Sequence, residues 1–196
     1  AACDPPVYVG FGSMGGRNPA ALGDMVAKGL RRPGRRGVVV TGAGGIEIAP
    51  SDDICVIEEA PHWWLMPRTA AAVHHGGVGT VGAALHAGTP QIIRPFFGDQ
   101  PFWAGRLREL GVSPRPLERM TGEALAERLR AIDALADAAG ALGEAMADED
   151  GCAAAIDRIN RVLGRGGAAG GGRRPSRGGP GRVRGADGGE VQEGIR

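Results

Sequence analysis

The sequence predicts an α/β fold in which a parallel β-sheet carries helices on both faces. Three observations lead to this prediction: short apolar segments alternate with longer segments of helical periodicity, glycines follow several of the apolar segments, and 42% of the 196 residues are hydrophobic. Repeated β-α units of this size build parallel sheets, because each helix carries the chain back across the sheet. Ligands of such sheets bind beyond the carboxyl ends of the strands.

The amino-terminal part supplies the first three strands. The apolar segment 6–11 predicts a strand, after which Asn18 and Pro19 suit the N-cap and first position of a helix. Apolar residues at helical spacing continue this helix as far as "RRPGRR". "GVVVTG" then predicts a buried strand bounded by glycines, and "ICVI" at 54–57 predicts the third strand.

The alternation continues beyond the third strand. "AAAVHH" predicts a fourth strand, a small-residue helix follows over 78–87, and "PQIIRP" predicts a fifth strand. The segment 100–110 predicts a helix that Gly111 ends, and 121–163 predicts two or three further helices. The loops at the carboxyl ends of these five strands would then surround one crevice. They follow Phe11, Thr41, Ile57, Val73 and Arg94.

Composition divides the chain into a body, residues 1–164, and a Gly/Arg-rich tail, residues 165–196. The tail has few apolar residues to bury, so we predict that it is disordered. Its seven arginines and three acidic residues give it a charge of +4, which leaves −3 for the body. Because no aromatic residue interleaves with the arginines, we predict a solvated extension rather than a segment that binds nucleic acid or anionic lipid.

The sequence shows neither a membrane-spanning run of 18 apolar residues nor a secretory signal. Cys3, Cys55 and Cys152 are odd in number and lack metal-ligand spacing, which favours reduced thiols. We therefore predict a cytoplasmic location and no transmembrane segment, and leave peripheral membrane attachment open.

The first strand leads into three glycines at the G-x-G-x-x-G spacing of dinucleotide-binding proteins: Gly10, Gly12 and Gly15. Two further features of an NAD site are missing. The second strand ends in Thr41 rather than in an acidic residue, and the helix begins near Pro19 rather than at the third glycine. A tight turn with exposed amides and the Ser13 hydroxyl remains, which suits a phosphate. A turn that binds no ligand is the equal alternative.

The stretch "HHGGVGT", residues 74–80, lies between a predicted strand and a predicted helix. Its glycines allow the backbone to approach a ligand closely, and the helix N-terminus presents free N–H groups and a positive dipole. A phosphate there would gain the hydroxyl of Thr80 and the imidazole of His75. This is anion-binding chemistry that needs no metal.

Asp99 and Gln100 follow the fifth predicted strand in "PQIIRPFFGDQPFWAGRL". An adjacent carboxylate and amide can bridge the vicinal hydroxyls of a sugar, whereas the alternative is that Asp99 caps the helix that begins near Pro101. Both roles can coexist. Aromatic residues gather in sequence around these loops, which suggests pocket walls: Trp63, Trp64, Phe96, Phe97 and Trp103.

Over residues 6–163 the sequence resembles the nucleotide-sugar-binding C-terminal half of the UDP-glycosyltransferase superfamily, in particular bacterial and sterol-type members of the GT-B fold. The resemblance rests on five motifs in order: "GFGSM", "APHWWLMPR", "HHGGVGT", "PFFGDQPFW" and "EDG". It implies a Rossmann-like domain over residues 1–164 and a hexosyltransferase that uses a nucleotide-sugar donor, no metal and no other cofactor.

The resemblance also implies a donor site. The loop Gly12, Ser13 and Met14 would lie near the diphosphate. The family histidine that contacts phosphate would be His75, and the same site would be lined by Gly77, Gly79 and Thr80. Asp99 and Gln100 match the pair that holds the sugar hydroxyls. Pro61 and His62 match the segment that borders the base.

Two positions depart from the pattern of the plant members. Glu59 stands where those proteins stack a tryptophan on uracil, and Ala84 stands where they bind ribose with a glutamate. The donor is therefore either a UDP-sugar, for which glucose is the expected type, or a TDP-sugar.

Inverting members of the family take their catalytic base and acceptor pocket from an N-terminal domain. Because "AACDPPVYV" resembles the linker into the second domain, we expect no catalytic residue in this chain. An acceptor-binding domain, in cis or in trans, would then bind the acceptor hydroxyl of a sterol, lipid or natural product. Two alternatives are a non-catalytic nucleotide-sugar-binding partner subunit and, disfavoured above, an NAD-dependent oxidoreductase.

Overall fold

The computed structural model describes residues 4–12, 14, 18–43 and 45–164. Within them, five strands form one sheet: β1 (Val7–Gly10), β2 (Gly37–Val40), β3 (Ile54–Ile57), β4 (Ala71–His74) and β5 (Gln91–Ile93). The described helices are α1 (Pro19–Arg31), α2 (His62–Leu65), α3 (Val78–His86), α4 (Gln100–Glu109), α5 (Gly122–Ala131), α6 (Ala136–Ala147) and α7 (Gly151–Val162). The predicted alternation is confirmed, and segment 121–163 holds α5, α6 and α7. The predicted tail lies outside the described residues.

All paired strands of the sheet run parallel, in the order β3-β2-β1-β4-β5. The chain first adds β2 and β3 on one side of β1 and then crosses to the other side for β4 and β5. Gly10, the last residue of β1, pairs with Val40 of β2 and with His74 of β4. The loops after β1 and β4 therefore start side by side at a topological switch point, where parallel sheets bind their ligands.

Helices cover both faces of this sheet, as predicted. Val7 and Val9 of β1 belong to an apolar cluster with Leu30 of α1 and Leu125 of α5. Tyr8 points to the opposite face, where it packs with side chains of α2, α3 and the 3₁₀ turn that follows α2. The alternation of side chains along β1 thus divides the core into two layers.

Helices α1 and α5 each begin with a side-chain cap. The side chain of Asn18 accepts a hydrogen bond from the Ala21 amide (2.9 Å), and Pro19 takes the first helical position, as the sequence predicts. Thr121 caps α5 in the same way through the Ala124 amide (3.1 Å). These caps fix where α1 and α5 start, and the two helices pack against each other on one face of the sheet.

The chain divides into two units, Ala1–Glu149 and Asp150–Arg196. The sheet and α1 to α6 belong to the first unit, and α7 belongs to the second. Asp150 is the N-cap of α7 and accepts a hydrogen bond from the Ala153 amide (2.9 Å). Over the described residues, no helix is both long and apolar enough to cross a membrane.

His74, at the end of β4, is fully buried and uses both ring nitrogens. Its Nδ1 accepts a hydrogen bond from the Gly76 amide (3.1 Å). The ring hydrogen is therefore assigned to Nε2, which donates to Oε1 of Gln91 (2.9 Å). Gln91 in turn donates to the Val81 carbonyl (3.4 Å). This chain of bonds ties the loop after β4 to β5 and α3. Burial lowers the pKa of His74 to about 3.

We expect this buried histidine to make folding stability dependent on pH. An unfolded chain binds a proton at His74 below about pH 6.5, but the folded chain does not until about pH 3, so the free energy of unfolding falls as pH drops through this interval. His74→Asn keeps an acceptor for the Gly76 amide and removes the titration. The difference in free energy of unfolding between wild type and variant should shrink by about 1.4 kcal/mol per pH unit below pH 6.

Urea unfolding of both proteins at several pH values between 7 and 4.5 measures this difference. A difference that stays constant across the series would show that His74 binds a proton in the folded protein. His86→Asn, at the exposed end of α3, is the matched histidine-to-asparagine control, and an equal change in that variant would show that the effect is not specific to the buried ring.

Candidate functional site

Three glycine-containing loops meet at the carboxyl ends of β1, β2 and β4. A Cβ atom built on Gly12 would lie 3.8 Å from Cε1 of His75, and one built on Gly42 would lie 3.3 Å from the Gly12 carbonyl oxygen. Both glycines have positive φ angles, 58° and 54°, which residues with side chains rarely adopt. The structure thus brings the Gly12 turn to the histidine of "HHGGVGT", as the shared sheet edge predicts.

The N-terminus of α3 presents backbone amides at this edge. Gly77 occupies the N-cap position without a side-chain cap, and the first helical hydrogen bond runs from the Val81 amide to the Gly77 carbonyl (3.0 Å). The amides of Val78, Gly79 and Thr80 therefore lack helical partners. Val78 and Gly79 are exposed. Free amides together with the positive end of the helix dipole make this terminus suited to an anion.

His75 lies between the Gly12 turn and the start of α3. Its Nε2 is so close to Gly77 that a Cβ built there would approach it to 2.4 Å, so a larger residue at this position would require the His75 ring to move. Its Nδ1 is buried and has no hydrogen-bond partner among the described residues. A buried polar atom without a partner costs about 1–3 kcal/mol, and a ligand is one reason for such an atom to persist.

The charge state of His75 depends on its neighbours. Burial lowers the pKa of His75, the carboxylate of Asp99 raises it, and a charge on His62 would lower it further. The net shift is downward, so His75 is neutral at pH 7 and acts through a hydrogen bond rather than through a permanent charge. A bound dianion would raise this pKa, because an opposite charge favours the protonated ring.

Asp99 and Gln100 lie beside this loop but have partners of their own. The side-chain oxygen of Gln100 accepts hydrogen bonds from the amides of Phe96 (2.7 Å) and Phe97 (3.2 Å), and the residue is 5% exposed. Gln100 therefore holds the loop after β5, which the sequence did not suggest. Its Cβ would lie 3.5 Å from a Cβ built on Gly76, next to His75.

Asp99 stays exposed, and its Oδ2 accepts a hydrogen bond from Nε1 of Trp103 (2.9 Å). Its side chain makes no capping bond to α4, although the residue takes the N-cap position. The suggested capping role of Asp99 is thus wrong for the side chain. The indole instead holds one carboxylate oxygen of Asp99, and the charge of this carboxylate acts on His75.

Pro61 and His62 begin α2 on the other side of the site. The carbonyl of Pro61 accepts the first bonds of this short helix, from the amides of Trp64 (3.1 Å) and Leu65 (3.0 Å). Nε2 of His62 lies 3.1 Å from the hydroxyl of Tyr8. Sequence reasoning missed Tyr8, because an aromatic residue inside a buried strand gives no sign of where its hydroxyl points.

The aromatic residues predicted as pocket walls differ in exposure. Trp63 and Phe97 are 77% and 63% exposed, whereas Phe96 packs partly against the core. The guanidinium of Arg94 lies over the Phe96 ring, 4.6 Å from its centre, and its buried Nε has no partner among the described residues.

The remaining predicted residues have different outcomes. Ser13 lies outside the described residues. The amide of Met14 donates to the Phe11 carbonyl (2.9 Å), and its side chain packs against the core. Ala84 is fully buried on α3. The described residues contain no group of three or more His, Cys, Asp or Glu placed to hold a metal ion.

The end of β2 gives no additional support to an NAD site. Thr41 follows β2, and its hydroxyl donates to the Ile57 carbonyl (3.3 Å) rather than standing free for a ribose. Glu58 and Glu59 follow β3, not β2. The acidic residue that should end the second strand in a dinucleotide site is therefore missing from the fold as well as from the sequence.

Comparisons with known proteins agree with this architecture. Residues 41–157 match the family described as erythromycin biosynthesis protein CIII-like, C-terminal domain. A sterol 3-beta-glucosyltransferase from Arabidopsis thaliana is 40% identical over 168 residues, which are 83% of this chain and 26% of that protein. The solved structure of the glycosyltransferase VinC in complex with dTDP has a TM-score of 0.68 at 25% identity, over 85% of this chain and 43% of that chain.

A UDP-glucose:anthocyanidin 3-O-glucosyltransferase, solved in complex with UDP, shares the fold with a TM-score of 0.69 at 23% identity, over 82% of this chain and 40% of that chain. The chain thus spans about a quarter of the plant sterol enzyme's length and less than half of either solved chain. These matches confirm the resemblance to the UDP-glycosyltransferase superfamily and its GT-B fold. The chain belongs to the family of the erythromycin biosynthesis protein CIII-like C-terminal domain.

Proposed function

We propose that this chain is the donor-binding part of a glycosyltransferase that takes a hexose from a UDP-sugar or a TDP-sugar. The observation that carries the proposal is the buried, unpartnered Nδ1 of His75 beside the free amides that begin α3. The relatives support it, because the matched proteins are glycosyltransferases and two of their structures hold UDP and dTDP. The acceptor we propose is a hydroxyl of a sterol, lipid or natural product.

In this proposal each loop of the site has a separate task. The α3 amides, the hydroxyl of Thr80 and the ring of His75 hold the diphosphate, and the loop Gly12–Met14 lies near it. The free carboxylate oxygen of Asp99 and the amide nitrogen of Gln100 bind the sugar hydroxyls. The segment Pro61–His62 borders the base.

The reaction we propose is a direct displacement at the anomeric carbon. The acceptor oxygen forms the new bond to that carbon, the bond to the β-phosphate oxygen breaks, and its electron pair leaves with the diphosphate. This chain would stabilise the departing charge with the α3 amides and His75, without a metal or other cofactor. An acceptor-binding domain, in cis or in trans, would supply the base that takes the acceptor proton.

One alternative keeps the same site and changes its use. A partner subunit that binds nucleotide sugar without taking part in transfer would have the same phosphate and sugar contacts. Transfer measured with an acceptor-binding domain present would separate the two roles. We propose a cytoplasmic location for either role, with peripheral membrane attachment as the alternative.

The first prediction concerns the choice of ligand. We expect the full chain to bind UDP or TDP and not NAD, because the free amides at the start of α3 suit a phosphate and the acidic residue for an NAD ribose is missing. Isothermal titration of the chain with each of the three compounds measures this. Tight binding of NAD without binding of either diphosphate would refute the proposal.

The second prediction concerns His75. His75→Ala should weaken binding of the nucleoside diphosphate roughly 10- to 150-fold, because a hydrogen bond to a charged group contributes about 1.5–3 kcal/mol. His86→Ala, at the C-terminal end of α3 and away from the loop that holds His75, is the matched control and should bind as wild type does. Equal affinity of His75→Ala and wild type, with thermal unfolding unchanged, would remove His75 from the phosphate site.

The third prediction separates the sugar contact from the diphosphate contact. Asp99→Ala should lower the affinity for UDP-glucose roughly 10-fold or more and leave UDP almost unchanged, since UDP has no sugar hydroxyls for the carboxylate to bind. Glu109→Ala removes an exposed acid from the other end of α4 and provides the control. A similar loss for UDP-glucose and UDP would mean that Asp99 acts on the diphosphate site through His75.

A further inference from the structure

Tyr8 and His62 form a pair that neither the sequence nor the proposed function explains. Tyr8 is 3% exposed, and its hydroxyl lies 3.1 Å from Nε2 of His62, with the two rings edge to face at 87° and 5.6 Å between centres. The residues are 54 positions apart in the chain. The hydroxyl of the buried Tyr8 thus lies at the carboxyl ends of the strands, where it contacts a side chain of the candidate site.

The sequence of β1 makes this contact possible. Tyr8 and Gly10 are two residues apart on one strand, so their side-chain positions lie on the same face of the sheet. A Cβ built on Gly10 would come within 2.3 Å of the Tyr8 hydroxyl oxygen. Because Gly10 has no side chain, the phenol of Tyr8 can lie beside it and extend from the core to His62. This requirement is separate from the G-x-G-x-x-G pattern in which Gly10 was first noted.

The hydrogen-bond chemistry of the pair selects one tautomer of His62. Burial raises the pKa of Tyr8 to about 12, so the phenol stays protonated. A buried hydroxyl needs an acceptor for its hydrogen, and the acceptor the structure provides is Nε2 of His62. Burial also lowers the pKa of His62, which keeps the ring neutral at pH 7. A neutral ring with an accepting Nε2 carries its hydrogen on Nδ1.

We infer that Tyr8 is a positioning residue that fixes His62 as the Nδ1–H tautomer, so that His62 donates a hydrogen bond to a carbonyl oxygen of the donor's pyrimidine base. The inference rests on the proposed function, which places His62 at the base. Within the described residues no hydrogen bond reaches Nδ1 of His62, and the ring is partly exposed. Uracil and thymine both offer such carbonyl oxygens, so the contact suits either donor.

The decisive variant is Tyr8→Phe, which keeps the apolar ring and removes only the hydroxyl. Nitrogen-15 NMR of the full chain should show His62 protonated on Nδ1 in wild type and a mixture of tautomers in the variant. We expect UDP affinity to fall roughly 2- to 10-fold in Tyr8→Phe. The loss should be absent when the same change is made in a His62→Ala background, because the hydroxyl then has no histidine to orient.

Thr89→Val is the matched control for loss of a buried hydroxyl. Its Oγ1 donates to the Met66 carbonyl (3.0 Å). Thr89 precedes β5 and therefore lies at the amino-terminal ends of the strands, opposite the carboxyl ends that form the site. We expect Thr89→Val to lower the melting temperature without changing UDP affinity or the His62 spectrum. A UDP loss in Thr89→Val equal to that in Tyr8→Phe would overturn the inference in favour of a general effect on stability.

Failure of the inference and failure of the proposed function can be told apart. If wild type binds UDP while Tyr8→Phe changes neither the His62 spectrum nor the affinity, the positioning role is wrong and the proposed function stands. An equal loss with and without His62 also refutes the role, since Tyr8 then acts by another route. If wild type binds neither UDP nor TDP, the proposed function fails, and the inference fails with it.

Discussion

The parallel pairing of β1 with β4 is the constraint on which the rest of the site depends. These strands are separated by two others in the chain but adjacent in the sheet, and the register places Gly10 opposite His74. The Gly12 turn therefore meets the loop that starts α3, while Tyr8 reaches the same edge from the opposite layer. A change of register by one residue would turn the Tyr8 side chain to the other face and break its contact with His62.

Two adjacent histidines, one at the end of β4 and one in the loop that follows, differ in role because they differ in burial. His74 is closed into the sheet, with both nitrogens bonded, and serves as a rigid neutral support for Gly76 and α3. His75 follows it, only partly buried, with one nitrogen unpartnered among the described residues. His74 is the last residue of β4 and enters the core, whereas His75 lies just beyond the strand at the carboxyl end of the sheet. The structural support and the phosphate-binding group that we propose are thus neighbours in sequence.

The site is also held by hydrogen bonds that leave few groups free for a ligand. Gln100 uses its side-chain oxygen on the loop after β5, and Trp103 holds one oxygen of Asp99. Such bonds fix the orientation of polar groups before a ligand arrives, which lowers the entropy lost on binding. The sugar contacts that we propose therefore use the remaining atoms, one carboxylate oxygen and one amide nitrogen.

The sequence by itself determined the order of strands and helices, the Asn18 cap and the glycine loops, because these depend on local periodicity and on backbone preferences of nearby residues. It also indicated the family, through five motifs in order. Only the tertiary structure decided which polar atoms are already occupied: the buried state of His74, the loop-holding role of Gln100, and the contact of Tyr8 with His62. Those outcomes join residues from different strands and loops, and their distances follow from sheet register and packing, which no local pattern encodes.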